Sequence, residues 1–278
     1  MENLRSILHA AQQQLETADL PSARTDAELL LLAVLGRERA YLYAHPEAEP
    51  SEDERREYAR LIAARAAGQP VQYLTGRQEF YGREFRVTPA VLIPRPETEL
   101  LVAAALEKLP SGANAQVLDA GTGSGAIAAT LALERPAARV VALDRSWAAL
   151  AVARGNAARW NARAAFVAAD WLAPLRAGVL DMIVSNPPYV ADNELPELAR
   201  EVREFEPREA LVAGPSGLES YRTLLPQARR ALRPGGWLIL EIGYRAGAAM
   251  RAMLADWQEV ELRRDWQGWE RIALARRP

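Results

Sequence analysis

Asn186, Pro187, Pro188 and Tyr189 follow the apolar run Met182-Ile183-Val184, which reads as a buried strand ending at Ser185. An asparagine at the mouth of a strand, followed by two prolines and an aromatic, has the parts to grip a planar NH2 group. The side-chain oxygen can accept one amine proton, and the peptide carbonyl between Asn186 and Pro187 can accept another. Neither proline carries an N–H, so the turn makes few internal hydrogen bonds and leaves carbonyls free. Tyr189 can lie against a flat substrate. The same four residues would also serve as a plain strand-ending turn. The weight therefore comes from what stands upstream.

Gly121, Thr122, Gly123, Ser124 and Gly125 sit where an earlier strand, ending in Asp119-Ala120, passes into a helix. Glycines there let the backbone approach a ligand and take positive φ angles. The spacing is not the dinucleotide fingerprint, which needs two residues between its second and third glycines, and no Gly-Lys-Ser/Thr follows as in a Walker loop. A tight glycine turn without a lysine fits a cofactor that lacks a pyrophosphate. Asp144 ends the next strand, roughly 20 residues on, where doubly wound folds reach ribose hydroxyls. Asp170 and Trp171 end the third strand; the acid suits an adenine amine, and the indole can stack on or wall off the ring. Asn186 ends the fourth. Each acid has an ordinary reading as a cap or turn residue. Four in strand register form a site, because ligands in such sheets bind beyond the carboxyl ends of the strands.

These positions must be held by an α/β frame. From Gln116 onward, strands at 116–120, 139–143, 165–169, 181–185 and 237–242 alternate with helices at about 125–134, 147–160 and 218–232, the pattern of a mostly parallel sheet. Pro234-Gly235-Gly236 reads as a turn into the fifth strand, and runs at about 258–263 and 270–275 complete the sheet. Residues 1–75 read as helices, with Ser51 as an N-cap and Gly36 and Gly68 as stops. Residues 76–93 read as a β-hairpin linker, with Glu79-Phe80-Tyr81 and Phe85-Arg86-Val87 as its strand-like runs. Pro96 opens a helix through Leu109. The domains expected are 1–75 helical, 76–93 linker and 94–278 catalytic.

Composition narrows the chemistry. The 278 residues include no cysteine and two histidines, His9 and His45, both near the N-terminus. Thiolate nucleophiles and Cys-zinc sites are excluded, and a His-based metal site or triad has no material in the α/β part. No metal is expected. Residues 1–75 carry 8 basic and 12 acidic side chains against 26 and 24 in the remainder, without the basic excess of an autonomous nucleic-acid binder. No apolar run approaches the ~20 residues that span a bilayer, and no signal peptide is evident at the start. The expectation is a cytoplasmic protein with no membrane association.

The glycine loop, Asp144, Asp170-Trp171 and Asn186-Pro187-Pro188-Tyr189 together resemble class I S-adenosylmethionine-dependent methyltransferases acting on planar nitrogens. The fuller resemblance, over nearly the whole chain, is to the release factor glutamine methyltransferases. It rests on Gln72-Tyr73-Leu74-Thr75-Gly76, the Glu79-Phe80 hairpin, Leu92-Ile93-Pro94-Arg95-Pro96-Glu97-Thr98-Glu99, the Asn-Pro-Pro-Tyr turn, and Phe205-Glu206-Pro207 before Ala210-Leu211. The resemblance implies a Rossmann-like methyltransferase sheet behind a small helical domain and a hairpin. It implies methyl transfer from S-adenosylmethionine to the side-chain amide of the Gly-Gly-Gln glutamine in class 1 peptide release factors. It also implies cofactor contacts from Gly121, Gly123, Gly125, Asp144, Trp171 and Asn186, with the turn holding the glutamine amide. A nucleic-acid amino-methyltransferase, acting on adenine N6 or guanine N2, is the alternative that the turn alone would allow. The roles of Arg95 and Glu97 stay open between lining the site and bracing the helix start.

Overall fold

The computed structural model describes residues 3–278; the first two residues of the 1–75 helical reading lie outside the described residues. Among the described residues the chain up to Thr75 forms five helices: α1 (Leu4–Thr17), α2 (Ala23–Leu35), α3 (Arg39–Ala44), α4 (Glu52–Ala66) and α5 (Val71–Thr75). Local chemistry sets their ends. The Asn3 side chain accepts from the Ser6 amide, and Ser51 with Glu54 forms a capping box at the start of α4, pairing amides that a helix N-terminus leaves free. Leu15, Leu30, Leu31 and Ile62 are fully buried at the centre of this unit.

A hairpin of β1 (Arg77–Phe80) and β2 (Arg83–Arg86) follows, and the second unit begins within it at Gln78. Its two-residue turn puts both Tyr81 and Gly82 at positive φ, as tight hairpins require. Phe80 and Phe85 meet edge to face at 6.1 Å and are buried in the same core as Leu101 and Ile127. The hairpin is thus packed into the unit. There follow α6 (Pro96–Lys108), β3 (Gln116–Ala120), α7 (Ala126–Glu134), β4 (Arg139–Asp144), α8 (Trp147–Arg159), β5 (Ala164–Ala168), β6 (Leu180–Ser185) and β7 (Val190–Ala191). Next come α9 (Arg200–Phe205), α10 (Arg208–Leu211), β8 (Val212–Gly214), α11 (Glu219–Ala231), β9 (Leu232–Glu241), α12 (Gly247–Met253), β10 (Gln258–Arg264) and β11 (Glu270–Arg276).

Seven strands form the main sheet in the order β10-β11-β9-β6-β3-β4-β5. The five from β9 to β5 are parallel, and β11 and β10 are antiparallel additions at one edge. Central strands have apolar residues on both faces because both faces are covered. Val117, Met182, Val184 and Ile239 face one core with α6 and α7. Leu118, Ile183, Leu238 and Leu240 face the other with α11. The chain winds outward from β3 through β4 to β5, then returns to β6 on the other side of β3. That reversal opens a crevice at the carboxyl ends of β3 and β6.

One expectation needs adjustment. Pro234-Gly235-Gly236 does not precede the strand; it lies inside β9 as an irregularity. Pairing jumps from Leu180 opposite Leu232 to Met182 opposite Trp237, and Gly235 and Gly236 both exchange backbone bonds with Arg277. Those bonds hold the segment in the sheet despite its turn-forming composition.

The helix α9 groups with the first unit, which comprises the chain up to Arg77 together with Ala199–Phe205. Arg65, 3% exposed, is one tie between them. It pairs with the equally buried Asp26 at 2.7 Å and with Glu201 of α9 at 2.8 Å.

Candidate active site

A cavity of about 280 Å³ lies in the second unit, at the carboxyl ends of β3, β4, β5 and β6. Gly121, Thr122, Gly123, Ser124, Asp144, Asp170, Trp171, Asn186 and Pro188 line it. Gly125, Pro187 and Tyr189 are not among the lining residues. The glycine loop turns through positive φ at all three glycines, but they do different work. A Cβ on Gly121 or Gly123 would meet nothing within 4 Å, whereas one on Gly125 would stand 2.8 Å from the Ala153 Cβ. The first two keep the loop open to a ligand; the third lets α7 approach α8.

Two acids shape this loop from opposite sides. Asp144 accepts from the Gly123 and Ser146 amides, both at 2.9 Å, and its residue lines the cavity. Asp119 is wholly buried beneath the loop, where one carboxylate oxygen accepts from Thr122 Oγ1 at 2.6 Å and from the Ala128 amide at 3.2 Å. Its other oxygen has no partner. Burial pushes the Asp119 carboxyl up to about 7; the two donors oppose this, and the charge of Asp144 adds to it. Asn156 was missed in the sequence. Its amide brackets Arg86 of β2, accepting from the amide and donating to the carbonyl, and also donates to the Ser124 carbonyl at 2.8 Å. The hairpin and the glycine loop are thereby joined. Trp171, a non-glycine residue at φ +50, holds its indole at the cavity from a left-handed backbone of the kind that persists only where surroundings impose it.

Around Asn186 the partners come from far along the chain. Asn186 Nδ2 donates to Thr98 Oγ1 at 3.1 Å. Thr98 Oγ1 donates to Glu241 at 2.7 Å, and the Tyr189 hydroxyl donates to the other Glu241 oxygen at 3.2 Å. Glu241 is 1% exposed; burial raises its pKa, against the Thr98 and Tyr189 hydroxyls and the charge of Arg271. Burial likewise raises the Tyr189 phenol. Tyr189 thus meets a buried carboxyl through its hydroxyl. Arg95 forms an ion pair with the buried Glu206, whose second oxygen accepts from the Ile93 amide at 3.1 Å. This pair braces the entry to α6 against the segment that begins with Pro207, a lining residue. Thr98 and Glu206 stand inside the Pro94–Glu99 and Phe205-Glu206-Pro207 stretches already singled out by resemblance; nothing in the sequence marked Glu241.

The lining chemistry suits S-adenosylmethionine. Gly121 and Gly123 line the cavity with open space where a side chain would stand, and two carboxylates, Asp144 and Asp170, and the Trp171 indole line it beside them. Among the described residues no group of histidines, cysteines or acids could hold a metal ion, and no helix is long and apolar enough to cross a membrane.

Comparison with known proteins gives two family matches: the PrmC N-terminal domain over residues 6–76 and the methyltransferase small domain over residues 97–204. A release factor glutamine methyltransferase of Koribacter versatilis is 46% identical over 276 residues, covering 99% of each chain. One of Nitratidesulfovibrio vulgaris is 44% identical over 281 residues, covering 99% of this chain and 95% of the relative. Among solved structures, the T. thermophilus 16S rRNA N2 G1207 methyltransferase, in complex with AdoMet and guanosine, aligns with a TM-score of 0.52 at 22% identity. It covers 73% of this chain and 50% of that one. That likeness extends to the fold.

Proposed function

The chain belongs to the release factor glutamine methyltransferases, and we propose that it moves a methyl group from S-adenosylmethionine to the N5 amide nitrogen of the Gly-Gly-Gln glutamine in class 1 release factors. The observation that carries this reading is Asn186. It stands at the carboxyl end of β6, on a cavity that also includes the glycine loop, with its amino end tied back to Thr98.

The chemistry asks for such a residue. A carboxamide nitrogen is a poor nucleophile because its lone pair is delocalised into the carbonyl. When bound, S-adenosylmethionine supplies an electrophilic methyl on a sulfonium. Gly121 and Gly123 leave room for it, Asp144 takes its ribose hydroxyls, Asp170 its adenine amine, and Trp171 walls the ring. Asn186 and a carbonyl of the Pro187-Pro188 turn accept the two amide protons and hold them where they point as the nitrogen becomes pyramidal. Those bonds tighten as positive charge develops, so they stabilise the transition state more than the ground state. Holding the nitrogen in line adds a proximity effect. No strong base is needed, because the methylated nitrogen is acidic enough to give its proton to water. The helical unit recognises the body of the release factor, and its excess of acids favours a basic partner surface.

The test is methyl transfer from labelled S-adenosylmethionine to purified release factor, beside its Gly-Gly-Ala version and bulk DNA and RNA. Label on the native factor alone is the expected result. Label on nucleic acid with none on the factor would move the assignment to base amines.

A further inference from the structure

An asparagine can receive an amide proton only if its own amide is turned carbonyl outward. We propose that Thr98 and Glu241 form a polarised relay that fixes this orientation of Asn186, making them positioning residues that select a carboxamide over a carboxylate. The inference rests on the reading that a glutamine amide is the substrate.

The relay follows from topology and from the number of protons available. In the sheet Ser185 of β6 lies opposite Leu240 of β9, so the next residues, Asn186 and Glu241, leave the two strand ends side by side. Thr98 reaches them from the first turn of α6. Glu241 receives the Thr98 hydroxyl on one oxygen and the Tyr189 hydroxyl on the other. A hydroxyl has a single proton. Having given it to Glu241, Thr98 Oγ1 can only accept, and the donor it accepts from is Asn186 Nδ2. The amino end of Asn186 is held, and the carbonyl end is left for the ligand. The polarity requires that the Glu241 oxygen facing Thr98 accept, as it does in the ionised carboxylate. A proton on the oxygen facing Tyr189 would still leave the other accepting from Thr98.

The consequence is discrimination. A glutamine amide brings N–H donors to the Asn186 oxygen. A glutamate in the same place sets oxygen against oxygen, and a site built for a donor rejects an analogue that lacks it because its own acceptor goes unpaired. Glu241 also binds both ends of the Asn-Pro-Pro-Tyr turn, Asn186 through Thr98 and Tyr189 directly.

The experiment compares wild type, Thr98→Val and Thr98→Ser of the full chain with intact release factor. It measures kcat and KM for the factor, S-adenosylmethionine affinity by calorimetry, and inhibition by a factor carrying Gln→Glu in the motif. Valine keeps the shape of threonine and removes the hydroxyl, so Asn186 loses its anchor. The expected result is a fall in kcat of roughly tenfold to a hundredfold with cofactor affinity near wild type and a modestly lower Tm, because the buried Glu241 loses one donor. Serine restores most of the turnover. The preference for glutamine over glutamate factor narrows in the valine variant alone. Valine turnover within a few fold of wild type would overturn the relay. So would a loss of turnover that tracks a loss of cofactor affinity or leaves the glutamine preference unchanged, since either marks Thr98 as packing only. A wild-type chain inert on the factor would instead remove the substrate reading, and the relay with it.

Discussion

At the scale of residues, three side chains carry separable effects. Asn186→Ala removes an acceptor aimed at a developing charge and should lower kcat about a hundredfold or more, far more than it weakens S-adenosylmethionine affinity measured by calorimetry. Asp144→Ala should act the other way, weakening cofactor binding about tenfold or more through lost charge-assisted bonds; unchanged affinity would refute the ribose contact. Asp119 leads to a pH effect. Its carboxyl ionises near 3.8 in the unfolded chain and at about 7 in the fold. The native state therefore holds an extra proton between those values, and stability falls as pH rises through that window, by at most about 1.4 kcal/mol per pH unit. Asp119→Asn has no such proton. The Tm difference, wild type minus variant, should decline as pH rises from about 4 to about 7 and then level off. A difference that stays flat across that range would show that Asp119 is ionised in the fold. Asp144, Asp170, Trp171 and Asn186 were legible because each follows a strand-like run. Thr98 and Glu241 were not legible as a pair, since they bond across 143 positions and only the sheet order makes them neighbours.

At the scale of elements, the glycine loop separates two kinds of constraint. Gly125→Ala would place a Cβ 2.8 Å from Ala153 at φ +79 and should destabilise the fold by about 1–3 kcal/mol, read as a lower denaturation midpoint. Gly123→Ala meets open space, so beyond the cost of its positive φ the main loss should be in cofactor affinity. If both variants lost stability alike and bound cofactor normally, the loop would be structural only. The long elements were readable because runs such as Val117-Leu118 and Met182-Ile183-Val184 are buried on both faces. The small pair β7–β8 and the short helices α10 and α12 were not. Two to seven residues are too few for a period to register, and their places depend on partners distant in sequence. The Pro234-Gly235-Gly236 segment misled for a related reason. Its composition says turn, but backbone bonds to Arg277 keep it in the sheet.

At the scale of the whole molecule, every residue lining the cavity lies between Phe80 and Thr223 and within the second unit. Deleting the chain before Gln78 should therefore preserve S-adenosylmethionine binding and raise KM for the release factor about tenfold or more, if the helical unit recognises the factor. Unchanged KM would remove that role. The helical character of residues 1–75 was legible from its spacing and caps. That a seven-residue piece of the later sequence, Ala199–Phe205, is grouped with it was not, because its contacts there, such as Arg65 with Glu201, join residues far apart in sequence.

That same piece has a consequence for how such proteins can be recombined. The chain passes between its two units three times, at 77/78, 198/199 and 205/206. A chimera joined at residue 77 would exchange only part of the first unit with a relative. It would leave a native Glu201 facing a foreign helix, while the borrowed counterpart of Arg65, if basic, would lack its matched acid. Modular exchange of the helical unit needs two cassettes carried together, the leading one and the internal one. Homologous crossover at a single point would produce hybrids with mismatched seams.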